Sequence, residues 1–258
     1  MATKMRLLFL DIETAPHVVY VWRLFDDHVP IDRVISPGYT LCWSAKWYGE
    51  REVMFDSIKQ SGKERMLKRI HKLMTEADAI CHYNGVRFDL PVLQQEFLQL
   101  GMKPPAPAKQ IDLYQTVSRH FRFASNKLDF VAQSLKLGSK VAHKGMELWK
   151  GCMAGNSDDW AVMEKYNRQD VRLLEPLYER VRPWMTSHPN AALYIDSKKP
   201  ICPFCGGTNL QRRGVGRTTV FVYPRFQCKA DGCGKWSRGR NNLMSKERRE
   251  SVLLPAAG

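Results

Sequence analysis

The sequence lacks any apolar run near the roughly 18 residues that cross a bilayer, so no membrane-spanning helix is expected. A secretory leader is not expected either. Met1-Ala2-Thr3-Lys4 runs straight into Leu7-Leu8-Phe9-Leu10, which ends in a carboxylate and has no small-residue cleavage site. A cytoplasmic protein of a bacterium or phage-infected host is the expectation. There is no internal repeat and no low-complexity segment. A disulfide framework is not expected either, because seven cysteines is an odd number for a protein of a reducing compartment. Cys42, Cys81 and Cys152 are scattered and read as small core residues.

Acidic residues are in deficit. The 258 residues hold 40 Lys+Arg against 26 Asp+Glu, a formal charge of +14. Such a surplus points to a polyanionic partner, and by itself does not separate nucleic acid from a membrane surface. Its distribution is uneven. Residues 197–258 hold 13 basic and 3 acidic residues, whereas residues 1–196 hold 27 and 23. The basic end is also where the other four cysteines cluster. With 44% hydrophobic and 26% charged residues, the chain has the composition of a globular protein.

Periodicity predicts a buried strand at 6–10, then a turn-rich stretch with Pro16, Pro30, Pro37 and Gly38. Strands follow at 40–48 and 51–56, joined by a hairpin at Gly49-Glu50. An amphipathic helix at 63–76 places Met66, Leu67, Ile70, Leu73 and Met74 on one face. A strand at 79–82, a helix at 91–100 stopped by Gly101, and a strand at 109–112 come next. Helices are expected at 113–121, 128–137 and 158–182. Three closely connected strands followed by alternating strands and helices suit a mixed sheet with helices on its faces.

Three acidic segments stand out. Asp11 and Glu13 lie two apart at the end of the first strand, so both side chains leave the same face. A solvated strand end would look the same. Asp89 follows Phe88 in Asn84-Gly85-Val86-Arg87-Phe88-Asp89, between a strand and a helix. An N-cap is the bland account of it, while the preceding aromatic offers a wedge for a terminal base. Tyr166 and Asp170 share one face of the last helix, along with Met163, Leu173, Leu174 and Leu177. An acid on such a stripe is costly unless it is paired or metal-bound, although a tyrosine–carboxylate hydrogen bond serving only packing also fits. Ser157-Asp158-Asp159 reads as a capped helix start. Four carboxylates can hold two hard divalent cations about 3.5–4 Å apart, which suits phosphodiester cleavage.

These segments resemble the DEDD superfamily of 3′–5′ exonucleases. Leu10-Asp11-Ile12-Glu13-Thr14 is similar to its first motif, Asn84 to Asp89 to the second, and Tyr166-Asn167-Arg168-Gln169-Asp170 to the third. The histidine subclass carries His five residues before the last acid. Lys165 stands there, so the likeness is to the tyrosine subclass. The nearest likeness, with Ile111-Asp112-Leu113 and Leu128-Asp129, is to the proofreading domain of family B DNA polymerases. It spans about residues 5–182, and too few residues remain for a polymerase domain.

The resemblance implies an RNase H-like fold and two Mg²⁺ or Mn²⁺ ions. Asp11 would bridge both, Glu13 and Asp170 would hold the ion that activates water, and Asp89 would support the second. Tyr166 would position the water. Thr14, Asn84 and Phe88 would contact the 3′-terminal nucleotides. The 15–38 segment, with His17, Tyr20, Trp22 and Phe25, could extend the substrate channel, although such aromatics are more often core.

The remaining cysteines form Cys202-Pro203-Phe204-Cys205 and, 22 residues on, Cys228-Lys229-Ala230-Asp231-Gly232-Cys233. Each pair is followed by glycine, and the four thiolates suit one structural Zn²⁺ in a zinc ribbon. Residues 218–226 read as a hairpin strand. Arg212, Arg213, Arg217 and Arg225 with Trp236 suit single-stranded nucleic acid. A solvated surface around a structural or protein-binding ribbon is the alternative.

The expected architecture is α/β: an RNase H-like mixed sheet flanked by helices (1–187), a linker (188–200), a small zinc ribbon (201–240) and a basic tail (241–258). The expected function is 3′–5′ exonucleolytic hydrolysis of DNA in replication, recombination or repair. An exoribonuclease, or a non-catalytic nucleic-acid-binding protein on the same fold, are the alternatives.

Overall fold

The structure is a computed structural model and describes residues 5–25 and 28–254. Residues 1–4, residues 26–27 and the last four residues of the basic tail lie outside the described residues. The described residues divide into two compact units, Arg6–Tyr178 and the part from Glu179 onward.

The first unit begins with β1 (Leu7–Thr14) and a small hairpin of β2 (Val18–Val19) and β3 (Val34–Ser36). β4 (Thr40–Trp47), β5 (Met54–Ser57), the short α1 (Ile58–Ser61) and α2 (Lys63–Glu76) follow. Then come β6 (Ala79–His82), α3 (Asp89–Gln99), β7 (Lys109–Asp112), α4 (Leu113–His120) and α5 (Leu128–Ser134). α6 (Met146–Met153) and the long α7 (Ser157–Val181) complete it. The five-stranded sheet has the order β5-β4-β1-β6-β7. β1 pairs antiparallel with β4 and parallel with β6. The mixed sheet flanked by helices is thus as the sequence predicts.

β1 lies in the middle of the sheet with both faces covered, which is why its first four residues can all be apolar. Leu8, Leu10 and Ile12 pack with Met66, Leu67 and Ile70 of α2 and with Leu90, Leu93 and Phe97 of α3. Strand alternation then sends Phe9, Asp11 and Glu13 to the other face. There Phe9 meets Tyr178 of α7 edge-on, with ring centroids 5.7 Å apart. One alternation therefore both builds the core and aims two carboxylates at α7.

Several local expectations need correction. α7 starts at Ser157, and its cap is Asn156, whose Oδ1 accepts from Asp159 N at 3.0 Å. α6 was not anticipated, because its eight residues carry too short a pattern. The strand expected at 51–56 begins only at Met54, after the turn at Gly49-Glu50. The 15–38 segment contains the β2–β3 hairpin, and its aromatics are not core: Trp22 is 87% and Phe25 95% exposed. Cys42, Cys81 and Cys152 are buried core residues.

The second unit contains the antiparallel sheet β10-β9-β8, formed by β8 (Leu210–Arg217), β9 (Val222–Cys228) and β10 (Trp236–Arg238), and ends in α8 (Lys246–Glu250). The hairpin strand expected at 218–226 is instead a turn and a strand. Thr218 N donates to Phe221 O at 2.9 Å, and Phe221 N returns to Thr218 Oγ1 at 3.1 Å. These bonds close the turn before β9 begins.

Candidate active site

Asp11 and Glu13 project from the end of β1, and Asp170 projects from the middle of α7. Each offers a carboxylate oxygen, and the three oxygens lie within 4.8 Å of one another. Asp89 joins them through the main chain. Its Oδ1 accepts the Ile12 N–H at 3.1 Å, which ties the first turn of α3 to the strand between the two acids. Asp89 is therefore not an N-cap. Phe88 occupies that position and stays about half exposed.

Crowding so many carboxylates in a buried place opposes their ionisation. Burial, then Asp170, Asp89 and Glu13, push the Asp11 carboxyl well above the usual range. Burial and Asp170 push Glu13 up to about 8. Asp89 rises to about 6, mainly by burial, with the Ile12 N–H pulling the other way. Asp170 is raised by burial against the counter-pull of Lys140. Asp170 Oδ1 is buried with no hydrogen-bond partner.

These observations fit a hard divalent cation, which takes oxygen ligands and removes the repulsion among them. Asp11, Glu13 and Asp170 are the residues that would hold it, with Asp89 beside them.

Tyr166 lies one turn before Asp170 on α7, and the two share the Lys140 ammonium as a hydrogen-bond donor. Its ring packs edge-on against His143 and Trp149, at 4.8 and 6.1 Å between centroids. Burial and Asp170 raise the phenol further above its ordinary range, so it stays protonated and able to donate.

Two residues at this place were not anticipated. Lys140 donates from Nζ to Tyr166 Oη at 3.1 Å and to Asp170 Oδ2. Burial works against its charge, and Asp170, Tyr166 and Asp11 outweigh it. Asn167 is fully buried, and its Nδ2 donates to Asp11 Oδ2 at 2.6 Å. Asn167 lies three residues before Asp170, a helical spacing that a stricter face count would have caught. Lys140 sits on a loop after α5, where no periodicity marks it.

A cleft of about 710 Å³ opens over Asp11, Lys140 and Tyr166, and Tyr83, Asn84 and Tyr114 also line it. Asn84 adopts the left-handed conformation, φ 66°. Its N–H donates at 2.9 Å to Asp112, whose carboxylate also accepts from Tyr114 N at the start of α4. Thr14 ends β1 just past a register shift.

In the second unit, Cys202 and Cys233 bring their sulfurs to 3.8 Å, and Cys205 and Cys228 to 3.6 Å. All four sulfurs lie within 4.8 Å of one another. A tetrahedral ion with Zn–S bonds of about 2.3 Å separates its sulfurs by about 3.8 Å, so the set fits a zinc site. The longer second loop causes no misfit, because Cys233 N turns back to Ala230 O at 3.1 Å. Arg212, Arg213, Arg217, Arg225 and Trp236 are all exposed on this unit's strands.

No curated protein was found to match the sequence. Among solved structures, a family B DNA polymerase from the hyperthermophilic archaeon Pyrobaculum calidifontis superposes with a TM-score of 0.53 at 18% identity. The match covers 69% of this chain and 25% of the polymerase chain, so it spans about a quarter of that relative and speaks to the fold. A family model of the RNase H superfamily matches residues 41–182, which include β4 to β7 and the α7 helix bearing Tyr166 and Asp170. With the mixed sheet centred on β1, that match establishes that the chain belongs to the RNase H superfamily.

Proposed function

We propose that the protein is a 3′–5′ exonuclease of the tyrosine type, hydrolysing phosphodiester bonds of DNA at single-stranded 3′ ends. The observation that carries this reading is the convergence of Asp11, Glu13 and Asp170 within 4.8 Å, with Lys140 joining Tyr166 to Asp170. Packing alone gives β1 and α7 no use for three mutually repelling, half-buried to buried acids.

Two Mg²⁺ or Mn²⁺ ions, when bound, would supply Lewis-acid activation of water and stabilisation of the leaving oxygen. The rest falls to the chain. Asp11, Glu13, Asp170 and Asp89 would set the ligand cage. The Tyr166 hydroxyl, held by Lys140, would orient the attacking water. Lys140 would offset negative charge developing on the phosphoryl oxygens. The water oxygen bonds to phosphorus as the bond to the 3′ oxygen of the preceding nucleotide breaks, releasing a nucleoside 5′-monophosphate. Asn84 and Phe88 would position the terminal nucleotide, with Thr14 at the strand end.

The catalytic part is assigned to residues 1–187. One structural Zn²⁺ on Cys202, Cys205, Cys228 and Cys233 would clip a ribbon of residues 201–240 that aids nucleic-acid binding. The test is incubation with 5′-labelled single-stranded DNA and RNA in Mg²⁺ or Mn²⁺. A ladder shortening from the 3′ end of DNA supports the reading. Faster shortening of RNA would move the substrate class, and no shortening of either would remove the activity.

A further inference from the structure

The sheet of the second unit has two unlike faces. β9 is its middle strand, and alternation puts Tyr223, Arg225 and Gln227 on one face, with Val222, Pro224 and Phe226 on the other. β10 opposes Trp236 to Gln227 and Arg238 to Arg225, so it adds Trp236 and Arg238 to the first face. From β8, Arg213 reaches Gln227 Oε1 at 3.2 Å on that same side.

Rings and guanidinium groups pair diagonally there. The Arg225 guanidinium carbon lies 4.5 Å from the Trp236 ring centre, and that of Arg238 lies 4.3 Å from the Tyr223 ring centre. Arg213, Arg225, Trp236 and Arg238 are all exposed. The three strands contain Arg212, Arg213, Arg217, Arg225 and Arg238, yet no lysine and no acid. A surface needing only positive charge would be served equally by lysine. Arginine is selected where a flat cation must stack and also fork its donors onto phosphate. Here the rings hold two such planes in place before any ligand arrives. Single-stranded nucleic acid offers both complements, an exposed base face and a phosphate, whereas a duplex hides its base faces in the stack.

We propose that this face is a platform for single-stranded nucleic acid, on which bases stack over the Tyr223–Arg238 and Trp236–Arg225 pairs while the guanidinium edges hold phosphates. The proposal rests on the nuclease reading only for the identity of the polymer. An acidic protein segment would satisfy the charges and leave the rings unused.

The experiment uses the full chain with Ca²⁺ in place of Mg²⁺ and compares four probes by anisotropy or competition: labelled dT20, a 20-base-pair duplex, heparin and polyglutamate. The key variant joins Arg225→Lys with Arg238→Lys, which keeps the charge and removes the planes. A second variant, Trp236→Phe, keeps a ring. Zinc content equal to the wild type certifies the fold of each.

The lysine variant is expected to lose about five- to hundredfold in dT20 affinity and less than twofold for heparin, while Trp236→Phe retains most binding. Unchanged dT20 affinity, equal losses for dT20 and heparin, or duplex binding as tight as single strand would overturn the platform. Polyglutamate binding as tight as dT20 would transfer the face to an acidic protein partner. Hydrolysis of the p-nitrophenyl ester of thymidine 5′-monophosphate, run in Mn²⁺, reports the acid cluster without the platform. An ester left intact by the wild type removes the nuclease reading alone, and an ester cleaved while dT20 binding ignores the variants removes the platform alone.

Discussion

The Asp129 carboxylate accepts the Lys140 backbone N–H at 2.8 Å, and the same lysine's ammonium reaches Tyr166 and Asp170. One acid on α5 thus anchors the loop that delivers a cation to α7. Lys140→Gln is expected to slow single-turnover DNA cleavage by about 10²–10³-fold, the usual cost of one preorganised charge contact. Asp129→Asn keeps the ammonium and loosens only its anchor, so about tenfold is expected. A larger loss from Asp129→Asn than from Lys140→Gln in the same rapid-quench assay would refute this ordering.

Tyr166→Phe removes a hydroxyl and leaves the ring packed on His143 and Trp149. Cleavage should slow by about 10²-fold and by no more than 10⁴-fold, with Mn²⁺ affinity in calorimetry unchanged. A wild-type rate would place Tyr166 among packing residues.

Asp11→Asn should abolish cleavage, because the acid on which Asp170, Asp89 and Glu13 all act is lost, while raising the melting temperature of the metal-free protein. The pH dependence has a definite sign. Glu13 holds its proton up to about 8 when folded, against an ordinary 4.5. The folded state therefore binds more protons than the unfolded between those values, and stability falls as pH rises through that window. Glu13 and Asp89 together should cost the metal-free protein on the order of a few kcal/mol by pH 8. Melting curves from pH 5 to 8, with and without Mg²⁺, check it. A melting temperature that rises with pH in the absence of metal is the contrary result.

Gly85 lies against a buried imidazole, and a Cβ placed there would come within 2.6 Å of His82 Cγ. Its N–H also donates to His82 Nδ1 at 3.0 Å. Gly85→Ala should cost about 1–3 kcal/mol and weaken cleavage by displacing the turn that carries Asn84. Urea unfolding with wild-type stability would show that the turn relaxes freely.

Removing zinc should unfold the three-stranded sheet, because the buried cluster beside it is made of three of the proposed zinc ligands, Cys202, Cys228 and Cys233, with the partly buried Phe204, Cys205, Leu210 and Ala230 packed on them. Amide exchange in residues 202–238 should become fast with a zinc chelator while β1 and β4 stay protected. Protection that survives full zinc loss would mean that the sheet stands without the clip.

The extent to which the site could be read in advance followed the range of each signal. Asp11 and Glu13 were legible because alternation along one strand places them, and Tyr166 and Asp170 because helical spacing does. α2 was predicted to the residue, since Met66, Leu67, Ile70 and Met74 repeat at helical period over 14 residues. The exposure of Tyr20, Trp22 and Phe25 in the 15–38 segment removes the core alternative, which composition by itself does not decide. Asn156 was passed over as the α7 cap because Ser157-Asp158-Asp159 offers equally good capping chemistry one residue later.

By itself, the sequence determined which local segments would form strands and helices, which acids share a strand or helix face, and that four cysteines come in two turns. Only the tertiary structure decided that β1 and α7 would meet, bringing Asn167 onto Asp11 across 156 residues of chain and Lys140 onto Asp170 across 30. The reason is physical. Local periodicity records which way a side chain leaves its own element, whereas the partner it finds depends on which elements pack together to bury the apolar faces of the central strand.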